Sequence, residues 1–128
     1  MTRRLPLEEI LEIHQRIIKQ SGGTTGIRDL DALQSAISQP FQSFGGTAHF
    51  PTDIEKAAAY AFYTVNDHPF VDGNKRTAHA TMEVFLNLNG KTLEADVDTQ
   101  ESIILDLASG DLSRYELTEW LNNHVSDH

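Results

Sequence analysis

The sequence predicts an all-α, compact single domain of about six helices, with a short flap near residues 41–51. Three observations carry that prediction. Apolar residues recur at helical spacing through most of the chain. Ser, Thr or Asp precedes several of these periodic segments, where a side-chain oxygen satisfies the free N–H groups of a helix start. No convincing strand pair, internal repeat or low-complexity linker interrupts them.

The 128 residues suit one domain over 1–128, since domains of roughly 100 to 150 residues are commonest and bury about two-thirds of their surface. A composition of 39% hydrophobic and 23% charged residues is that of a soluble globular chain rather than a disordered one.

Pro6 suits a first helical turn, and Leu7, Ile10, Leu11, His14, Ile17 and Ile18 share a helical face until Gly22-Gly23, which predicts helix one over 6–20. Asp29 opens a short second helix with Leu30, Leu33, Ala36 and Ile37 on one side and Pro40 at its end. The run PFQSFGGTAHFP from Pro40 to Pro51 has no helical period and reads as a surface flap, with a small hairpin possible around Gly45-Gly46. Thr52 and Glu55 have capping-box spacing, and the dozen residues after them are apolar almost all round, as in a central, buried helix. A fourth helix starts near Gly73, with Ala78, Thr81, Met82, Phe85 and Leu86 along one side and Gly90 as its stop. Asp98 or Thr99 is the expected cap of a fifth helix to Ser109, and Ser113 with Glu116 the capping box of a sixth to about His124. His14, on the apolar face of helix one, reads as a core histidine bonded to backbone; His124 and His128 read as tail residues.

Ten basic against 19 acidic residues give a formal charge of −9, which disfavours loose attraction to nucleic acid or anionic lipid. Any phosphate must then be held locally. With no cysteine, a disulfide framework, a thiol nucleophile and cysteine-bound zinc are excluded. Thr2-Arg3-Arg4 resembles the start of a signal peptide, but Glu8, Glu9 and Glu12 break up the adjoining segment, and no stretch approaches the ~20 apolar residues of a membrane helix. The expectation is a cytoplasmic protein with no membrane and no direct nucleic-acid partner.

The chemistry concentrates in His68-Pro69-Phe70-Val71-Asp72-Gly73-Asn74-Lys75-Arg76. A helix starting near Gly73 offers unpartnered N–H groups and the positive end of its dipole to an anion, and Gly73 leaves room for one. Lys75 and Arg76 oppose that dipole in the first turn, which an anion would compensate; as solvated charges they would instead pair with Asp72 and Glu83. Asp72 reads as a magnesium carboxylate or as the helix N-cap. A neutral His68 imidazole is suited to take a proton from a hydroxyl near neutral pH, while Pro69 restrains the loop and Phe70 anchors it. A base, a metal carboxylate, an anion-binding helix start and two cations are the parts phosphoryl transfer uses.

HPFVDGNKR resembles the signature of the Fic/Doc family, H-x-F-x-[DE]-[GA]-N-[GK]-R, at seven fixed positions, and LEEILEIHQRIIKQSGGTTGIRDLDALQSAI is similar to the N-terminal part of its Doc (death-on-curing) branch. The resemblance implies a helical fold with the motif opening its central helix. It implies that His68 deprotonates a target-protein hydroxyl, that Asp72 holds Mg2+, and that Gly73 and Asn74 cradle the phosphates of ATP, with Lys75 and Arg76 beside them. Lys75 in place of a second glycine, and His79 in place of a second arginine, imply transfer of the terminal phosphate to a translation elongation factor. Asn66 in place of an arginine, and Pro69 with Gly73, point instead to AMP transfer of the Fic kind. A protein-binding module without turnover is the third reading. The resemblance also implies an antitoxin partner whose disordered tail folds on binding, and the acidic surface predicts Lys or Arg in that tail.

Overall fold

The computed structural model describes residues 2–128. Helix α1 (Leu7–Ser21) follows Pro6 and buries Ile10, His14 and Ile18. The carboxylate of Asp29 accepts from the N–H of Ala32 at 3.0 Å and so caps α2 (Leu30–Ser38). A single 3-10 turn, Gln39–Phe41, then carries buried Pro40. The flap holds a minimal hairpin, β1 (Ser43–Phe44) antiparallel to β2 (Thr47–Ala48), around Gly45 and Gly46.

Helix α3 (Asp53–Asp67) starts at Thr52, whose hydroxyl accepts from Glu55 N–H at 3.1 Å. Its all-round apolar sequence places it at the centre: Ala57, Ala58, Ala59 and Ala61 have no exposed surface and Tyr60 only 1%. These small side chains let α4 (Asn74–Leu88) lie close, and α3 with α4 is the most extensive helix pair. Tyr60 and Phe85 meet at a centroid distance of 5.0 Å, with Phe41 edge-on to both. Burial pushes the Tyr60 hydroxyl up to about 12.

The cap of the next helix departs from expectation. Helix α5 (Val97–Ser109) is capped by Asp96, which accepts from Thr99 N–H at 2.7 Å, so Asp98 and Thr99 lie inside the first turn. Asp96 has the extended backbone of a cap, with its oxygen three residues from a free N–H. Helix α6 (Arg114–His124) has the predicted capping box of Ser113 and Glu116.

A second strand pair corrects the purely helical reading of this end. β3 (Lys91–Leu93) runs antiparallel to β4 (Val125–Asp127), with Lys91 opposite Asp127 and Leu93 opposite Val125. Three-residue strands carry too little alternation to be read locally. Nor do the last histidines form a loose tail: the His128 N–H donates to the Gly90 carbonyl at 2.8 Å, and His124 stacks on Trp120. No helix among the described residues is long and apolar enough to cross a membrane.

Candidate active site

Helix α3 ends at Asp67, and His68 turns the chain with a left-handed backbone, φ 48°, the one positive φ among the described non-glycine residues. For a residue with a Cβ this conformation costs about 1–2 kcal/mol. Arg28 holds the turn: its Nε donates to the His68 carbonyl at 2.5 Å and its Nη2 to that of Asp67 at 2.8 Å. The backbone beside Arg28 extends the brace. Arg28 and Asp29 N–H both donate to the Pro69 carbonyl, Val71 N–H donates to that of Gly26, and Ile27 bridges Phe70. Phe70, 1% exposed, anchors the loop in the core as its sequence suggested.

Gly73 is the N-cap of α4 at φ 79°. A Cβ there would stand 3.1 Å from the Ile18 side chain, so both the backbone angle and the packing favour glycine. Asp72 therefore precedes the cap rather than being it. Its Oδ1 accepts from Gly73 N–H at 2.8 Å and its Oδ2 from Thr24 N–H at 3.1 Å. The Thr24 bond foremost, then the Gly73 bond, hold its carboxyl below the usual carboxylate range, with Arg76 and His14 adding to them. Asn74 spends its side chain on the loop, accepting from Phe70 N–H at 2.9 Å and donating to the Phe70 carbonyl at 3.0 Å. What the helix start offers an anion is backbone: the N–H groups of Asn74, Lys75 and Arg76 have no hydrogen-bond partner among the described residues.

Arg76 donates to the Gly22 carbonyl at 3.1 Å and lies 3.7 Å from Asp72, while Lys75 is exposed and forms no ion pair among the described residues. One cleft of about 730 Å³ is lined by all six residues singled out from sequence: His68, Asp72, Gly73, Asn74, Lys75 and Arg76. Helix α5 also lines it, through Leu105, Asp106, Ala108 and Ser109, a contribution that sequence reasoning missed. Of these, Leu105, apolar and off the Ile104–Leu107 face, stands out only in the folded chain, where it is 55% exposed. His79 lies outside this cleft, in an adjoining cavity of about 490 Å³, with its Nε2 2.7 Å from Gln100 Oε1.

No group of three or more His, Cys, Asp or Glu suited to a metal occurs among the described residues. Magnesium does not need one, because it is commonly held by one or two carboxylates plus substrate phosphates and keeps several waters. Asp72 fits: its carboxyl is held ionised, its side chain is 46% exposed, and each oxygen has accepted one bond of the two it can take.

A helical domain whose motif opens a buried helix at the mouth of a cleft matches the comparisons with known proteins. A model of the Fic/DOC family matches residues 4–86, and the chain belongs to that family. Within it the chain stands with the Doc branch. It is 35% identical over 113 residues to Toxin Doc of Mycolicibacterium smegmatis, covering 87% of this chain and 85% of that protein. It is 28% identical over 111 residues to Protein kinase doc of Escherichia phage P1, covering 87% and 86%.

Proposed function

We propose that the protein is a Doc-like toxin that transfers the terminal phosphate of ATP to a hydroxyl of a target protein, a translation elongation factor, and so blocks translation in the cytoplasm. The observation that carries this reading is the convergence of His68, Asp72, the start of α4 and Lys75 on one cleft. The names of the two relatives support the toxin and kinase parts of it.

His68 takes the proton of the target hydroxyl on an imidazole nitrogen as that oxygen attacks the terminal phosphorus. The bond from phosphorus to the bridging oxygen breaks, ADP leaves, and His68 releases its proton to solvent. The free N–H groups of α4 and the Lys75 and Arg76 cations bind and orient the phosphates and balance the charge that builds on them. Asp72 would hold Mg2+, which when bound neutralises phosphate charge. The partner in this reading is an antitoxin with a basic tail that folds on binding.

The test is a cell extract incubated with the protein and ATP labelled at the terminal or the alpha phosphate, with His68→Ala as control. Terminal label on a target protein, absent with the variant, is the expected result. Alpha label would overturn phosphate transfer in favour of AMP transfer, and no label from either, with a folded protein, would leave a protein-binding module.

A further inference from the structure

His14 is the one fully buried histidine among the described residues, 4% exposed, and the transfer reaction gives it no task. Its Nε2 lies 2.8 Å from the Asp72 carbonyl oxygen. A carbonyl only accepts, so this nitrogen carries a hydrogen. The ring lies flat against Phe70, with centroids 3.9 Å apart and planes within 7°. One side chain from α1 thus grips the loop at two points.

The bonded oxygen belongs to the peptide that joins Asp72 to Gly73. A peptide is a rigid plane, so fixing its oxygen on one side fixes its N–H on the other. That N–H is the one that donates to Asp72 Oδ1 at 2.8 Å. The plane has another orientation open to it, because Gly73 adopts positive and negative φ with similar ease. With the plane reversed, the carboxylate would lose one of its two backbone donors and α4 would lose the cap geometry at φ 79°.

We propose that His14 is a positioning residue: it locks the Asp72–Gly73 peptide in one of its two orientations and thereby sets the carboxylate that faces the nucleotide. The link to the nucleotide rests on the reading of the cleft as a phosphate-transfer site; the lock does not.

Two variants separate the contacts. His14→Phe keeps a ring against Phe70 and removes the donor, while His14→Gln keeps an N–H donor and removes the stack. Amide hydrogen exchange followed by NMR reads the lock without any ligand, and calorimetry with ATP and Mg2+ reads its consequence. In His14→Phe the amides of Gly73 and Thr24 are expected to exchange about tenfold faster than in the parent, with Ala58 in α3 unchanged, and ATP with Mg2+ to bind about tenfold more weakly. His14→Gln is expected to restore most of both. Unchanged protection at Gly73 and Thr24, an equal rise at Ala58, or an equal loss in His14→Gln would each overturn the lock. Should His14→Phe not fold, His14→Gln decides alone, parent-like protection at Gly73 supporting the proposal and lost protection overturning it. A parent that binds no ATP while its amides respond as expected overturns the reading of the cleft and upholds the lock.

Discussion

Two connections lead into and out of the central helix α3, and they are built in opposite ways. The run from His68 to Gly73 is fastened on every side: Arg28 caps its first carbonyls, residues 26–29 bond to its backbone, Asn74 closes it from within, and Pro69, Phe70 and Gly73 are buried. In the flap, residues 42–49 are all exposed, its strands have two residues each, and Phe44 shows 81% of its surface. Only its two ends are tied: Phe41 packs edge-on to Tyr60 and Phe85, and Phe50 is buried, receives the Lys56 ammonium on its carbonyl and lies under the Arg114 guanidinium. The difference separates a supported backbone from an adjustable one. Under the proposed function the motif loop carries proton and phosphate transfer, which requires groups held to within a fraction of an ångström on supported backbone, whereas an exposed hairpin keeps adjustable side chains.

The contrast can be broken most severely at His68. His68→Ala is expected to lower the rate of label transfer by about 10²–10⁴-fold with the thermal midpoint little changed, because the imidazole lines the cleft and supports no core packing. Phe70→Ala comes next: removing a ring 1% exposed and stacked on His14 should cost about 3–5 kcal/mol in urea unfolding. Asp72→Asn sharpens the comparison through pH. The folded carboxyl lies below its unfolded value, so the stability it confers is complete above about pH 4 and is lost as pH falls through the folded value. The variant should therefore show a flatter loss of stability between neutral and strongly acid pH, read from urea midpoints at each pH. Smallest is Phe44→Ala in the flap, expected to change unfolding stability by less than about 0.5 kcal/mol. A large effect there would mean that the flap is packed as firmly as the motif.

Local signals in the chain account for much of this architecture. The apolar period of α1, α3 and α4 and the oxygen caps at Asp29, Thr52 and Ser113 are written within a few residues of where they act. The motif is legible for the same reason, since its parts lie side by side. The cap of α5 falls two residues before the first expected position, because Asp96, Asp98 and Thr99 all carry the right oxygen and only backbone geometry chooses among them. The supports of the site lie out of reach of local reading. For His14 the helical face marks a core histidine bonded to backbone but not that the carbonyl is that of Asp72, 58 positions away, while Arg28 meets His68 across 40 positions and leaves no trace in spacing. The same holds for the α5 wall of the cleft and for β3 with β4, which tertiary packing brings together.

Under the proposed function, the left-handed backbone of His68 sets a trade-off between durability and activity at a single position. The end of α3 is a place where helices favour glycine, and the proposed proton transfer calls for an imidazole. His68→Gly should accordingly make a sturdier and inert protein, gaining about 1 kcal/mol in urea unfolding while transferring no label. Selection for stability alone would remove the histidine, so its presence there is itself a mark of use.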